Sequence, residues 1–232
     1  MFRSEIFMKN INNIIGIGYQ ENHEIYMVLK KKILSRDFTP NELLNLDKLA
    51  NIMGISRTPL RDALKKLEHE GFLKTIPRKG TFVTGIYRDD LIEIFRFREM
   101  VELYAVEMGF SEIIPLVDDM TGVVEQWGQE VKKEDCDGLV LMEQDSKFHG
   151  LIVQATNSRI INAYNSLNYQ VQTARTYFLQ ENSRFRDAFN EHLEIVDCIR
   201  RENKQETKTA LKHHLDNTLV GLIKIIDIVK VF

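Results

Sequence analysis

Four polar side chains fall where this chain ought to be apolar, and all four are types that bind metal. Placed on a helix, residues 138–156 put Leu141, Met142, Phe148, Ile152 and Val153 on one face, with Asp145 and His149 at its centre, one turn apart. In residues 184–200, Phe185, Ala188, Phe189, Ile195, Val196 and Ile199 share a face with His192 in the middle. In residues 205–231, Leu211, Thr218, Leu222 and Ile225 define a face with His214 at its edge, while His213 points away. Any one of these histidines alone reads as a hydrogen-bonded core residue. Together with a carboxylate they read differently. An unpaired core carboxylate costs on the order of several kcal/mol, and imidazoles at neutral pH supply neither a strong charge nor a full set of donors. A divalent cation satisfies all four: an Asp/His pair at i, i+4 clamps an ion from one helix, and two further helices close the site. We therefore expect Asp145, His149, His192 and His214 to form one metal site. Mixed nitrogen and oxygen ligands suit zinc, nickel or manganese without choosing among them.

A second polar pair lies nearby in sequence pattern. Leu91, Ile94, Phe95 and Ala105 form an apolar face that also contains Arg98 and Glu102, whose i, i+4 spacing allows a mutual salt bridge. Arg175, amid Gln172, Thr173 and Tyr177, is a further cation that could meet an anion or simply face solvent.

The elements carrying these residues look wholly helical. The pattern predicts helices over 90–109, 113–133, 138–156, 159–180, 184–200 and 205–231, with breaks at Pro115, Asp137-Gly138, Asn157-Ser158, Asn182-Ser183 and Asn203. Six such helices make a bundle large enough for an interior cavity. Trp127 and the group Phe95, Phe97 and Tyr104 read as core or dimer contact. Cys136 and Cys198 lie far apart without metal-type spacing, as expected for reduced thiols in a cytoplasmic protein. Residues 219–232 are apolar but interrupted by Lys224, Asp227 and Lys230, and shorter than the ~20 residues a membrane span needs. An amphipathic terminal helix and no membrane partner are expected.

Ahead of the bundle the chemistry changes. The net charge is −3 overall, yet residues 23–87 hold 12 lysines and arginines against 7 acids, leaving 19 against 27 elsewhere. A basic block on a mildly acidic body fits a nucleic-acid module joined to something else. Within it, Leu46, Leu49, Ala50 and Met53 fall on one helical face, and Gly54 ends that helix. Ser56 is a natural N-cap for the next, whose buried stripe is Leu60, Ala63, Leu64 and Leu67. Arg57, Thr58 and Arg61 face away from that stripe near the helix start, as a major-groove reader requires. An earlier helix is predicted over 24–35, with Lys30-Lys31-Lys32 at its solvated end. Strands over 73–76 and 81–84 flank Pro77-Arg78-Lys79-Gly80, a hairpin wing whose Arg78 and Lys79 would meet phosphate or the minor groove. Asp89 or Asp90 could cap the first bundle helix.

The fold class expected is mainly α: an arm over 1–20, a winged helix-turn-helix DNA-binding domain over 21–87, and an all-α metal-binding, effector-binding and dimerisation domain of about six helices over 88–232. The first part resembles the winged helix-turn-helix of the GntR family. The resemblance rests on Pro40-Asn41-Glu42, Leu49-Ala50, Gly54-Ile55-Ser56-Arg57-Thr58-Pro59-Leu60-Arg61-Asp62-Ala63-Leu64, Leu67-Glu68-His69-Glu70-Gly71-Phe72 and Pro77-Arg78-Lys79-Gly80-Thr81-Phe82-Val83. It implies that Ser56, Arg57, Thr58, Arg61, Arg78, Lys79 and Gly80 meet DNA. Two positions depart from the family pattern. Asn41 replaces a turn glycine, which is mild because Asn tolerates left-handed backbone. Asp47 stands where many relatives carry an operator-touching arginine, and it is assigned no DNA role because an acid repels phosphate.

The bundle resembles the FadR C-terminal (FCD) ligand-binding domain found in many GntR regulators. Metal-binding members show Asp-x-x-x-His, then Glu-His, then His-Leu; here these are Asp145-Ser146-Lys147-Phe148-His149, Glu191-His192-Leu193 and His214-Leu215. The resemblance implies a divalent metal on Asp145, His149, His192 and His214. It also implies an effector cavity containing the arginine that matches Arg98, whose planar guanidinium suits bidentate pairing with a carboxylate; Arg175 is the second candidate for that anion. The function expected is a cytoplasmic, homodimeric repressor on a palindromic double-stranded operator, released by a small carboxylate effector at the metal. Two alternatives stand beside it: a metal that is structural or itself the sensed ligand, and a metalloenzyme fused to a DNA module. No catalytic base, nucleophile motif or phosphate-binding glycine loop supports the last.

Overall fold

The computed structural model describes residues 20–35, 37–85, 87–134, 136–175 and 182–229. All but the last residue of the arm expected over 1–20 lies outside them. The chain divides into two compact units between residues 85 and 86.

The first unit is built from α1 (Gln20–Leu34), β1 (Leu43–Leu44), α2 (Leu46–Met53), α3 (Arg57–His69), β2 (Leu73–Ile76) and β3 (Gly80–Val83). Local chemistry sets the limits of α2. The Asn45 side chain accepts the Lys48 N–H at 3.0 Å, and Gly54 closes the helix in left-handed backbone, φ 66°. The predicted stripe of α3 is buried: Leu60, Ala63, Leu64 and Leu67. Ser56 holds the N-cap position, but its hydroxyl makes no capping hydrogen bond. The expected strand pair is present, with Leu73 opposite Val83 and Thr75 opposite Thr81. A third strand that sequence reasoning missed, β1, pairs Leu43 with Phe82 and Leu44 with Thr81, giving the order β1-β3-β2. Two residues are too few for a visible period. Asn41 does adopt positive φ, 65°. Lys30, expected in solvent, instead bonds Glu70 at 3.0 Å and covers the Phe72 ring, tying α1 to the end of α3.

The second unit is a helical bundle: α4 (Arg88–Ile113), a 3-10 turn (Ile114–Leu116), α5 (Val117–Val131), α6 (Gly138–Val153), α7 (Ser158–Arg175), α8 (Asn182–Arg200) and α9 (Lys204–Val229). Asp90 fastens the start of α4 by accepting the Tyr87 N–H at 3.0 Å. Two of the breaks read from sequence are helix caps: the Asn157 side chain accepts from Arg159 and Ile160, and that of Asn203 from Glu206. Pro115 lies in the 3-10 turn after α4. The helix kinks at Gly109, where an added Cβ would sit 2.5 Å from the Ala155 carbonyl oxygen. Leu91, Phe95, Trp127, Leu141 and Leu222 meet in one core cluster; Val106, Phe148, Ile152, Ile195 and Leu211 meet in another. The Trp127 indole N–H donates to the Phe185 carbonyl at 3.0 Å, so this residue is core. Tyr104 is exposed, and Phe97 lies at the edge of a surface groove. Cys198 is buried and Cys136 half-buried. Among the described residues no helix is long and apolar enough to cross a membrane.

Candidate metal centre and nucleic-acid interface

The bundle brings the four expected ligands together. Asp145 and His149 come from α6, His192 from α8 and His214 from α9; all are buried, and one ligand atom from each lies within 4.8 Å of every other. Asp145 stands 3.6 Å from both His149 Nε2 and His192 Nε2. His149 Nε2 and His214 Nε2 are 3.2 Å apart. Two nitrogens bound tetrahedrally at about 2.0–2.1 Å from one ion lie about 3.3 Å from each other, so this spacing fits a shared cation.

Two glutamates decide the state of these rings. His149 Nδ1 is 2.6 Å from Glu102, and His214 Nδ1 is 2.7 Å from Glu191. Burial would raise the Glu102 carboxyl, but Arg98, His149 and Tyr164 together hold it at about 2. Glu191 is treated alike: burial opposes, while His214, Arg184 and Asn217 hold it at about 2. Ionised carboxylates only accept, so both Nδ1 atoms carry their protons and donate. In the neutral rings both Nε2 atoms are then bare lone pairs, facing each other at 3.2 Å. Burial pushes His214 down to about 4 despite its bond to Glu191, so that ring keeps its Nε2 lone pair bare. Carboxylate–imidazole pairs of this kind orient metal ligands and raise their basicity. The donor set therefore fits a divalent metal.

Arg98 does form the salt bridge its spacing allowed, Nε to Glu102 at 2.9 Å, wholly buried. Its two Nη atoms are also buried and have no hydrogen-bond partner among the described residues. Burial works against its charge, but Glu102, Tyr164 and Asp145 hold it firmly protonated. Tyr164, on α7, donates to Glu102 at 2.7 Å. The side chain of Arg175 lies outside the described residues. Sequence reasoning missed Arg184, which clamps Glu191 through both Nη atoms (2.9 and 2.6 Å) and also reaches Thr218. It also missed the imidazole-orienting roles of Glu102 and Glu191. The Glu191-His192 dipeptide hints at the second; nothing local marks the first, because Glu102 reaches His149 across 47 residues of sequence. Arg184, Asp145, Thr218, Trp127 and Phe185 surround a void of about 20 Å³ beside the centre.

In the first unit, Ser56, Arg57, Thr58 and Arg61 are all exposed at the N-terminal end of α3, opposite its buried stripe. Arg78 and Lys79 are exposed at the wing tip. The tip closes with a Lys79 N–H bond to the Ile76 carbonyl at 3.0 Å and Arg78 at φ 64°. Gly80 contributes backbone: its φ is 114°, and an added Cβ would lie 2.6 Å from the Leu43 side chain. Asp47 is not isolated, because its carboxylate pairs with Arg57 at 2.7 Å.

Residues 93–217 match the FCD domain family, and residues 22–83 match the bacterial regulatory proteins of the gntR family. The chain is similar to the uncharacterized HTH-type transcriptional regulator YdhC of Bacillus subtilis, 27% identical over 208 residues, covering 88% of this chain and 92% of that one. It is also similar to the gluconate operon transcriptional repressor of Bacillus licheniformis, 28% identical over 171 residues, covering 73% and 68%. Among solved structures, E. coli McbR/YncC shares the fold with a TM-score of 0.70 at 18% identity, over 90% of this chain and 99% of that one. A structure described as a metal-free FCD domain of a transcriptional regulator matches with a TM-score of 0.53 at 23% identity, over 61% of this chain and 97% of its own.

Proposed function

The chain belongs to the GntR family of DNA-binding transcriptional regulators and carries an FCD domain, and from that premise we propose that it represses transcription as a homodimer whose hold on a palindromic operator is set by a small organic acid bound at a divalent-metal centre. The observation that carries the metal part is the 3.2 Å approach of two imidazole Nε2 atoms whose Nδ1–H groups are both committed to ionised carboxylates. Asp145, His149, His192 and His214 would hold the ion, with Glu102 and Glu191 fixing two of the rings. When bound, the metal supplies a Lewis-acidic position for a carboxylate oxygen.

Charge supports an anionic effector. With the imidazoles neutral, Asp145, Glu102 and Glu191 oppose Arg98 and Arg184, a balance of one negative charge that a divalent ion turns into one positive. A monocarboxylate neutralises it. The partnerless Nη atoms of Arg98 offer that carboxylate a planar donor edge. Repression is supported by relatives named as repressors. For the DNA contacts, the motif and the exposure of Arg57, Thr58, Arg61, Arg78 and Lys79 support one reading head per chain, and a two-fold dimer supplies two. A dimer face is supported by α4, where Met100, Tyr104 and Met108 are exposed along one stripe bordering a groove of about 360 Å³. An acid that binds the free protein better than the DNA-bound one releases the operator by linkage.

A second reading is favoured by the small void beside Asp145. About 20 Å³ accommodates one water and no organic acid. On that reading the metal itself is the sensed ligand, and the acid has no place. A mobility shift on the chain's own upstream DNA separates the two. Binding that responds to a panel of carboxylates only when metal is present supports acid sensing. Binding that responds to metal addition and chelation, with every carboxylate silent, supports the second reading. Indifference to both leaves the centre structural.

A further inference from the structure

The DNA-reading surface carries an acid, and its placement gives it a task. Asp47 sits in the first turn of α2, and Arg57 is the first residue of α3. Asp47 Oδ1 and Arg57 Nη2 are 2.7 Å apart, with the two side chains 60% and 66% exposed. A solvent-facing ion pair of this kind contributes little to folding. A carboxylate on a face that meets phosphate also weakens attraction to any duplex. Neither stability nor general affinity accounts for it.

We propose that Asp47 is a specificity-determining residue that braces Arg57 for guanine and itself reads the neighbouring base pair. This rests on the reading of α3 as the recognition helix. An unbraced arginine must give up rotamer freedom to place two N–H groups on guanine O6 and N7. Asp47 engages the Nη2 corner of Arg57 as an ion pair and leaves the Nε–H, the Nη1 hydrogens and an unengaged Nη2 hydrogen for a base. The free Oδ2 is a pure acceptor. In the major groove only the amino groups of cytosine and adenine can satisfy it, while guanine O6 and thymine O4 oppose it with lone pairs. The pair thus trades affinity for all DNA against discrimination at two adjacent positions, by attraction to one base and repulsion of others.

The test is in vitro selection from a random duplex pool with the full chain, comparing the unaltered protein, Asp47→Ala and Arg57→Ala, followed by affinity measurements on the selected site and on unrelated duplex. Melting curves check that each variant is folded. For Asp47→Ala the expected result is a loss of about tenfold or more in preference at a base pair adjacent to the guanine lost in Arg57→Ala, with tighter binding to unrelated duplex. A selected sequence unchanged in Asp47→Ala but altered in Arg57→Ala overturns the role of Asp47 and leaves the recognition helix standing. A sequence unchanged in both variants removes the recognition-helix assignment as well, and an unaltered protein that enriches no sequence removes both.

Discussion

Replacing Glu102 by glutamine tests the metal reading and can be worked through in parts. The amide keeps the size and loses the charge that accepts the His149 Nδ1–H at 2.6 Å and pairs with Arg98 at 2.9 Å. Two costs follow. Loss of a carboxylate that orients a metal-binding histidine lowers metal affinity about 10–100-fold, or about 1.4–2.7 kcal/mol at fixed free metal. Leaving the buried Arg98 charge without its partner costs a further ~3–5 kcal/mol, and this part does not depend on metal. Urea unfolding with and without chelator separates the two, and a competition titration reads metal affinity directly. The double variant Arg98→Met, Glu102→Gln removes the stranded charge, so it should regain most of the second cost and none of the first. A Glu102→Gln protein whose metal affinity stays within twofold, while its stability falls equally in both conditions, would show that Glu102 serves only as a counter-ion to Arg98.

Three further outcomes are expected. In metal-free protein, burial depresses His214 from 6.5 to about 4, so the unfolded chain takes up that proton first; its contribution to stability is full above pH 6.5 and is lost as the pH falls towards 4. Unfolding curves at pH 7.5 and 5 should show this, and His214→Gln should flatten the difference. The double substitution Arg57→Ala, Arg61→Ala should abolish the specific mobility shift while leaving the melting temperature unchanged, because both side chains are exposed; retained specific binding would exclude α3 as the reader. Gly109→Ala should destabilise the bundle by about 1–3 kcal/mol in calorimetry, since its Cβ meets the Ala155 backbone rather than a side chain that can yield; an unchanged melting temperature would count against that packing.

How much of this was legible in the sequence follows from range. Helices announced themselves through period and caps, so the six bundle helices and the α2–α3 pair sit close to where the pattern puts them. The four ligands were visible because each breaks an apolar stripe, an anomaly detectable within a single helix. What pairs with them was not. Glu102 reaches His149, and Tyr164 reaches Glu102, across tens of residues, while Arg184, only seven residues from Glu191, also reaches Thr218 on another helix. Arg98 illustrates the boundary: its bond to Glu102 is local and was foreseen, whereas its two partnerless Nη atoms are a property of the packed bundle. Strand β1 escaped because two residues carry no period and its partners Thr81 and Phe82 on β3 lie far along the chain. Asp47 was read as a charge misplaced near phosphate; only the folded unit shows it against Arg57.

The most direct test of the central claim is elemental analysis of the full chain purified without chelators, alongside the His149→Ala and His214→Ala variants with melting curves to establish that they fold. The account predicts close to one first-row divalent ion per chain in the unaltered protein and little or none in the variants. A folded, unaltered protein that stays metal-free after incubation with zinc, nickel and manganese would contradict it.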